Sequence, residues 1–315
     1  MSLERALELA ERGRGTTHPN PVVGAVIVRD GEVVGEGWHE RKGEPHAEVK
    51  ALAEAGERAR GATLFVTMEP CNHTGSTPPC THAVLEAGIG QVVAGSLDPN
   101  PEAGGGLEKL RGEGLDVSLA DGVLGFRARQ QNEEWRTWIG KGRPFVTYKA
   151  AVTLDGHLAV PGERWVSGEE SRRLVHVLRA TSDAVAVGMG TVRADNPRLD
   201  ARGVDAAKQP RRLAFGSGPL PEGSELELLS GPLMEDLSRL ASEGVQSLLL
   251  EGGPNLAESF FLADLVDKVL LFVAPRLAGG GPTLVEALPA PVQLTRLSSH
   301  QVGDDVLLSA YVHEP

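Results

Sequence analysis

The stretch Pro70-Cys71-Asn72-His73-Thr74-Gly75-Ser76-Thr77-Pro78-Pro79-Cys80 holds the only two cysteines of a 315-residue chain. Prolines precede both cysteines, and Asn, Gly and Ser fill the space between them, so the segment reads as a rigid, turn-rich loop. A strand over Thr63 to Thr67 delivers the chain to it, and Pro79-Cys80 open a helix that Gly88 closes. Whatever the fold, it must present two thiols from one loop. No other cysteine remains for a disulfide framework, so metal binding or catalysis is the stronger use, in a reducing compartment.

Upstream stands Pro45-His46-Ala47-Glu48. His46, Cys71 and Cys80 offer one imidazole and two thiolates, and Glu48 a spare carboxylate. Catalytic zinc takes three protein ligands and keeps a fourth position for water. An H-x-E followed by P-C and a second Cys is the signature of zinc nucleobase deaminases, with eight residues between the cysteines here rather than two. Two positions apart, His46 and Glu48 diverge on a helix. They serve one site only off its N-terminal end, and Pro45 is expected in that first turn. Cys80 also begins a helix, whose dipole is expected to lower its thiol pKa. Alone, H-x-E carries little, and two cysteines can be small buried hydrophobes. Joined, they point to zinc, with Glu48 moving protons. His73 is a candidate fourth ligand. His39 and His18 are as well suited to meeting substrate, and Asn20 is either a turn residue or a donor to a pyrimidine edge.

Composition narrows the partners. Lys and Arg number 31 against 43 Asp and Glu, a net charge of −12. That disfavours a nucleic-acid surface, which depends on cations meeting phosphates, but allows one phosphate held by a few arginines. Met1 to Gly15 reads as an amphipathic helix without the apolar core of a signal peptide. No apolar run approaches the ~20 residues of a membrane span. The expectation is a soluble, cytoplasmic protein. Two α/β patterns follow one another, separated at Gly140-Lys141-Gly142-Arg143-Pro144, giving domains 1–143 and 144–315. In the first, an Asp30-Gly31 hairpin, alternating strands and helices, and one last helix from Val123 to about Ile139 are expected. In the second, strands fall at 145–152, 184–188, 212–215, 247–250 and 268–273, with a terminal pair near 292–297 and 306–312. Residues 216–232 give no clear topology.

The motifs Thr17-His18-Pro19-Asn20-Pro21-Val22-Val23-Gly24, His46-Ala47-Glu48, the cysteine loop and Asp98-Pro99-Asn100-Pro101 resemble the deaminase domain of the bifunctional riboflavin-biosynthesis deaminase/reductase family. Lys149 to Gly156, Trp165-Val166-Ser167, Val187 to Leu199 and Leu250-Glu251-Gly252-Gly253 resemble its reductase domain, in the family's order. The resemblance implies a cytidine-deaminase-like three-layer α/β/α domain, then a dihydrofolate-reductase-like α/β domain. It implies a zinc hydrolase acting on a cyclic amidine, with one Zn2+ per deaminase domain, and an oxidoreductase using NADPH. The implied substrate is a small pyrimidine ribotide, 2,5-diamino-6-ribosylamino-4(3H)-pyrimidinone 5′-phosphate. Its 2-amino group is removed, and the ribosyl group of the resulting uracil is then reduced to ribityl. Carried over residue by residue, cofactor contacts fall on Ala151, Trp165, Thr191, Asp195 and Gly253. The family's substrate contacts fall on Arg179, Leu199, Arg202 and Glu251, and Asn20, His39, Asn100 and Lys149 are further substrate-binding candidates.

Several of these have a direct physical reading. Glu251-Gly252-Gly253-Pro254-Asn255 lies between strand and helix, where free N–H groups suit a phosphate, although an ordinary turn has the same look. Arg179 and Arg202 suit phosphate or are solvated surface arginines. Trp165 is core or a stacking face. A homo-oligomer, dimer or tetramer, is expected from edge strands in the second domain. A deaminase of nucleic acid or of a salvage substrate, carrying an unrelated second domain, is the other enzyme reading. The chain departs from the family at Ser76, where Lys or Arg is usual, at His157 and Glu163, and in short stretches at 159–165 and after Gly216.

Overall fold

A computed structural model describes residues 2–74, 78–285 and 287–315. Ser76, singled out above, lies outside the described residues. The chain divides into two compact units, residues 1–141 and 142–314.

In the first unit, strands β1 (Gly24–Arg29) and β2 (Glu32–Trp38) form a hairpin closed by Asp30-Gly31, both with positive φ. That is the backbone a two-residue hairpin turn requires. With β3 (Thr63–Val66), β4 (Gln91–Ala94) and β5 (Asp116–Leu119) they form a sheet in the order β2-β1-β3-β4-β5. Only the β3-β4-β5 side is parallel. Because alternate residues face opposite sides, Val26 and Phe65 pack under helix α1 (Ser2–Glu11), while Ala25, Ile27 and Leu64 pack under α2 (Ala47–Ala55). Helices α3 (Cys80–Glu86) and α4 (Gly106–Gly112) bury residues in the α2 layer. The result is the expected α/β/α sandwich.

Close approach sets where α2 lies. A Cβ on Gly35 would come within 2.2 Å of Ala51 O, and one on Gly37 within 2.3 Å of Ala47 O. The bare strand therefore lets the first turn of α2 sit directly on β2. The helix begins at Ala47 with His46 as its N-cap, so Pro45 precedes the helix rather than opening it. The single helix expected over 123–139 is two, α5 (Gly122–Gln130) and α6 (Glu133–Lys141). Between them, the buried Asn132 side chain accepts from Val22 N and donates to Val22 O, both at 2.9 Å, which pins the break to the entry of β1.

The second unit is built on an eight-stranded sheet. Its strands are β6 (Phe145–Thr153), β7 (Ala184–Gly188), β8 (Arg211–Phe215), β9 (Glu227–Leu229), β10 (Ser247–Leu250), β11 (Lys268–Ala274), β12 (Thr295–Val302) and β13 (Asp305–Tyr311). Their order is β12-β13-β11-β6-β10-β7-β8-β9, parallel from β11 to β9. Every residue of β10 is buried, as a central parallel strand covered on both faces requires. Helices α7 (Glu169–Thr181), α8 (Met189–Asp195), α9 (Leu233–Ser242) and α10 (Pro254–Leu262) connect the strands. β9 supplies an element within 216–232, and the first of the terminal strands runs 295–302 rather than 292–297. Arg143 donates two N–H groups to Asp267 at 2.6 and 2.8 Å in a buried pair, and Asp267 also accepts from Val146 N. This anchors the start of β6.

Gly37→Ala tests the close approach. Overpacking of this kind costs about 1–3 kcal/mol. The variant is expected to lower the thermal midpoint and to weaken zinc binding, measured by competition with a chromogenic chelator, because the displaced turn carries His46. Unchanged zinc affinity in a destabilised protein would show that the contact serves stability alone.

Candidate active sites

The N-terminal ends of α2 and α3 meet. His46 Nδ1 lies 3.2 Å from Cys80 Sγ and 3.6 Å from Cys71 Sγ, and the three ligand atoms fall within 4.8 Å of one another. Tetrahedral zinc with ordinary Zn–N and Zn–S bonds spaces its ligands by roughly 3.6–3.8 Å. The donor set and its spacing therefore fit that ion. Glu48, 3% exposed, borders the same cavity, which has a volume of about 490 Å³. Asn20 Nδ2 lies 3.3 Å from His39 Nε2, and the His39 ring meets that of His46 edge-on at 5.4 Å. Asn100 lines the wall, its Oδ1 accepting from Glu102 N. His73 also lines the cavity but stands outside the ligand cluster. A buried carboxylate holds the cysteine loop in place: Glu69 accepts from Asp98 N at 2.9 Å and Leu107 N at 3.1 Å.

In the second unit, Glu251 directly follows β10 and receives two N–H bonds from Arg179, at 2.6 and 3.0 Å, with Lys149 Nζ at 3.5 Å. Burial opposes ionisation of this carboxyl, but Lys149 and Arg179 outweigh it and hold its pKa below the usual range. Ala151, Trp165, Arg202, Thr191 and Gly253 line the same cavity. Trp165 is 51% exposed, with Arg164 and Arg172 over its ring, so it is a stacking face and not core. Arg202 pairs with Asp200 at 2.7 Å. Leu199 is different: its side chain is buried with Val185 and Val192 and its φ is +53°, so only its backbone is available to a ligand. A second cleft, shared at Thr191 and Gly253, opens at the carboxyl ends of β7, β8 and β9 and includes Asp195.

Residues 2–96 match the cytidine and deoxycytidylate deaminase zinc-binding region, and 144–308 match the RibD C-terminal domain. The riboflavin biosynthesis protein RibD of Aquifex aeolicus is 38% identical over 344 residues, covering 97% of this chain and 96% of the relative. That of Mycobacterium tuberculosis is 41% identical over 326 residues, covering 96% and 94%. The chain belongs to the RibD family. Solved structures agree along the full chain. Acinetobacter baumannii RibD superposes with a TM-score of 0.81 at 33% identity, covering 98% of this chain and 97% of the other. A Thermotoga maritima protein described as a diaminohydroxyphosphoribosylaminopyrimidine deaminase and 5-amino-6-(5-phosphoribosylamino)uracil reductase gives 0.79 at 34% identity, with 98% and 97% covered. As a RibD family member the chain pairs a zinc-type deaminase with a reductase of riboflavin biosynthesis.

Electrostatics in the RibD zinc site correct one expectation. Cys71 carries the lowered thiol pKa, because it accepts hydrogen bonds from Cys80 and His46. Cys80, held as donor to Cys71 and buried beside Glu48, is pushed up instead. The geometry explains the exchange: the Cys80 N–H, at the mouth of α3, points to Cys71 Sγ at 3.4 Å. The helix end therefore serves the other sulfur. The thiolate of Cys71 raises the pKa of His46, and burial together with that charge lifts Glu48 to about 7. A 2+ ion removes the conflict by letting both sulfurs ionise.

NADPH also fits its site. The β7, β8 and β10 ends turn into helices or loops through Gly188, Gly216 and Gly252-Gly253, the usual location of a nucleotide in an open parallel sheet. Gly252 packs against α10, where a Cβ would approach the Leu256 side chain to 2.9 Å.

Sequence reasoning missed what four residues contribute. Lys42 is the sole Lys or Arg on the zinc cavity wall among the described residues, and nothing local in the sequence marks it. Trp135 and Trp138 close the apolar side, and a pair three apart in a chain this poor in aromatics was the available signal. Asp305 accepts from Gly168 N at 2.7 Å and Ser171 Oγ at 2.6 Å, capping α7 from β13, a pairing only the fold creates.

The thiol assignment predicts that zinc-stripped protein shows one thiolate by absorbance near 240 nm, appearing well below the ordinary thiol range. Cys71→Ser is expected to abolish it near neutrality. Cys80→Ser should retain a thiolate, at somewhat higher pH. Equal contributions from both cysteines would refute the assignment.

Proposed function

We propose that residues 1–143 hydrolytically deaminate 2,5-diamino-6-ribosylamino-4(3H)-pyrimidinone 5′-phosphate, and that 144–315 reduce the ribosyl side chain of the product with NADPH, giving 5-amino-6-ribitylamino-uracil 5′-phosphate. The observation that carries this reading is the presence in one chain of a His-Cys-Cys cluster with an adjoining buried glutamate and of a Lys149-Glu251-Arg179 cluster beside an open nucleotide cleft.

Zinc held by His46, Cys71 and Cys80 supplies a Lewis acid that makes water nucleophilic at neutral pH. The protein's own part is proton traffic and orientation. Glu48, buried beside the metal ligands, is placed to take one proton from attacking water and give it to the ring nitrogen, and then to carry the remaining hydroxyl proton to the departing ammonia. Asn20 and His39 hold the pyrimidine edge, and Asn100 fixes the opposite side. Trp135 and Trp138 exclude solvent from the ring. In the second unit NADPH supplies hydride. Ala151, Trp165, Thr191, Asp195 and Gly253 place the cofactor. Lys149, Arg179, Arg202, Glu251 and the backbone of Leu199 place the ribotide. Lys149, next to Glu251, is positioned to protonate the sugar oxygen as hydride arrives.

The same reading includes a cytoplasmic homo-oligomer, a dimer or tetramer. β12 is exposed along nearly its whole length and leaves a strand edge that another chain can cover. Light scattering on the full chain tests this, and a particle of monomer mass would reject it.

A split assay tests the chemistry. Wild-type protein given the diaminopyrimidine ribotide is expected to release ammonia and then oxidise NADPH. Glu48→Gln should retain stoichiometric zinc and lose ammonia release by about 10²- to 10⁴-fold. Supplied with the deaminated product, the same variant should oxidise NADPH at the wild-type rate. Full deamination by Glu48→Gln would overturn the role of that carboxylate.

A further inference from the structure

The cleft at the ends of β7, β8 and β9 contains one Lys or Arg among its described lining residues, Arg193. Its place is fixed rather than incidental. Arg193 Nη2 donates to Ser217 O at 2.7 Å, tying the last turn of α8 to the loop that leaves β8. Gly218 next to it has φ +97°, and a Cβ there would stand 3.0 Å from the same nitrogen. The loop is therefore bare where the guanidinium rests on it. Among the described residues no carboxylate pairs with Arg193, in contrast to Arg179, which Glu251 engages with two bonds. Most of its N–H groups remain available, on an exposed side chain at the wall of a cleft.

The layout of the unit decides which part of a dinucleotide reaches it. The hydride-bearing end must lie where Lys149, Glu251 and Trp165 gather, beside β6 and β10. The two cavities meet at Thr191 and Gly253, where the Gly253-capped N-terminus of α10 presents free N–H groups suited to the pyrophosphate. The strand order β6-β10-β7-β8-β9 then carries the adenosine end outward, toward Ser217, Ser230 and Gly231. Arg193 stands at that outer end. We infer that Arg193 is the specificity-determining residue that selects NADPH over NADH, its guanidinium contacting the phosphate on the adenosine 2′ oxygen while Ser217 O holds it in position.

This rests on the reading of the second unit as a reductase, and the test separates the two. Calorimetric titration of the full chain with NADP+, NAD+, 2′,5′-ADP and 5′-AMP reads binding without turnover. Wild type is expected to prefer NADP+ to NAD+ and 2′,5′-ADP to 5′-AMP. Arg193→Leu is expected to weaken NADP+ and 2′,5′-ADP by about 10- to 100-fold, the effect of losing a hydrogen-bonded charge, and to leave NAD+ and 5′-AMP as they were. Arg193→Lys, retaining charge without the planar fork, should fall between. If both variants keep the wild-type preference, the inference fails while the reductase reading stands. If NADP+ and NAD+ weaken equally, Arg193 serves the pyrophosphate or the fold and the inference fails. If wild type binds none of the four, both fall.

Discussion

Two sulfur atoms in contact with one imidazole cannot both be anionic unless a cation joins them, and the first unit is organised around this constraint. Cys71 and Cys80 approach the same nitrogen of His46, and the charge of one sulfur suppresses ionisation of the other. Burial first, and that same charge after it, raise the pKa of Glu48. Fold and chemistry share one arrangement: two helix N-terminal ends are aimed at the place where negative charge collects, and at α3 the Cys80 N–H is bonded to the Cys71 sulfur. The glycines of β2 make that aim possible by letting α2 lie flat on the strand. Glu69 does the corresponding task for the loop, using a carboxylate where a longer segment of secondary structure would otherwise be needed.

The second unit meets the opposite problem. Here the excess charge is positive, and one buried carboxylate, Glu251, answers both Lys149 and Arg179. A cation that is already paired is held in a defined orientation, at the cost of part of its pull on a ligand. Arg179 is thereby more a positioned donor than a free charge. Arg193, tethered by a neutral carbonyl, keeps its full charge. Two arginines in one unit thus take different parts because of what their N–H groups touch.

Much of this was legible in the chain. The metal ligands could be read because two cysteines, a histidine and prolines are rare and their chemistry is restrictive. The α/β alternation could be read because β10 and β7 are continuous apolar strands between polar helices. The thiol that ionises could not, because it depends on which sulfur the Cys80 N–H faces, a matter of loop geometry. The division between α5 and α6 depends on Asn132 bonding to Val22, 110 residues away. Leu199 is a contact by motif, yet its side chain is packed in the core with Val185 and Val192, partners brought together only by the fold. Local pattern carries composition and period; it does not carry partners brought from far along the chain.

The cap on α7 ties two distant parts of the second unit together. The helix that bears Arg179 is capped by Asp305, 137 residues after the Gly168 N–H it receives. Asp305 opens β13, which pairs antiparallel with β11, so the entry of α7 is held by the antiparallel side of the sheet and not by the parallel strands whose ends form the cleft. A chain cut short before residue 305 would keep most of that sheet and all the residues that line the cleft, yet lack the group that sets the helix over it.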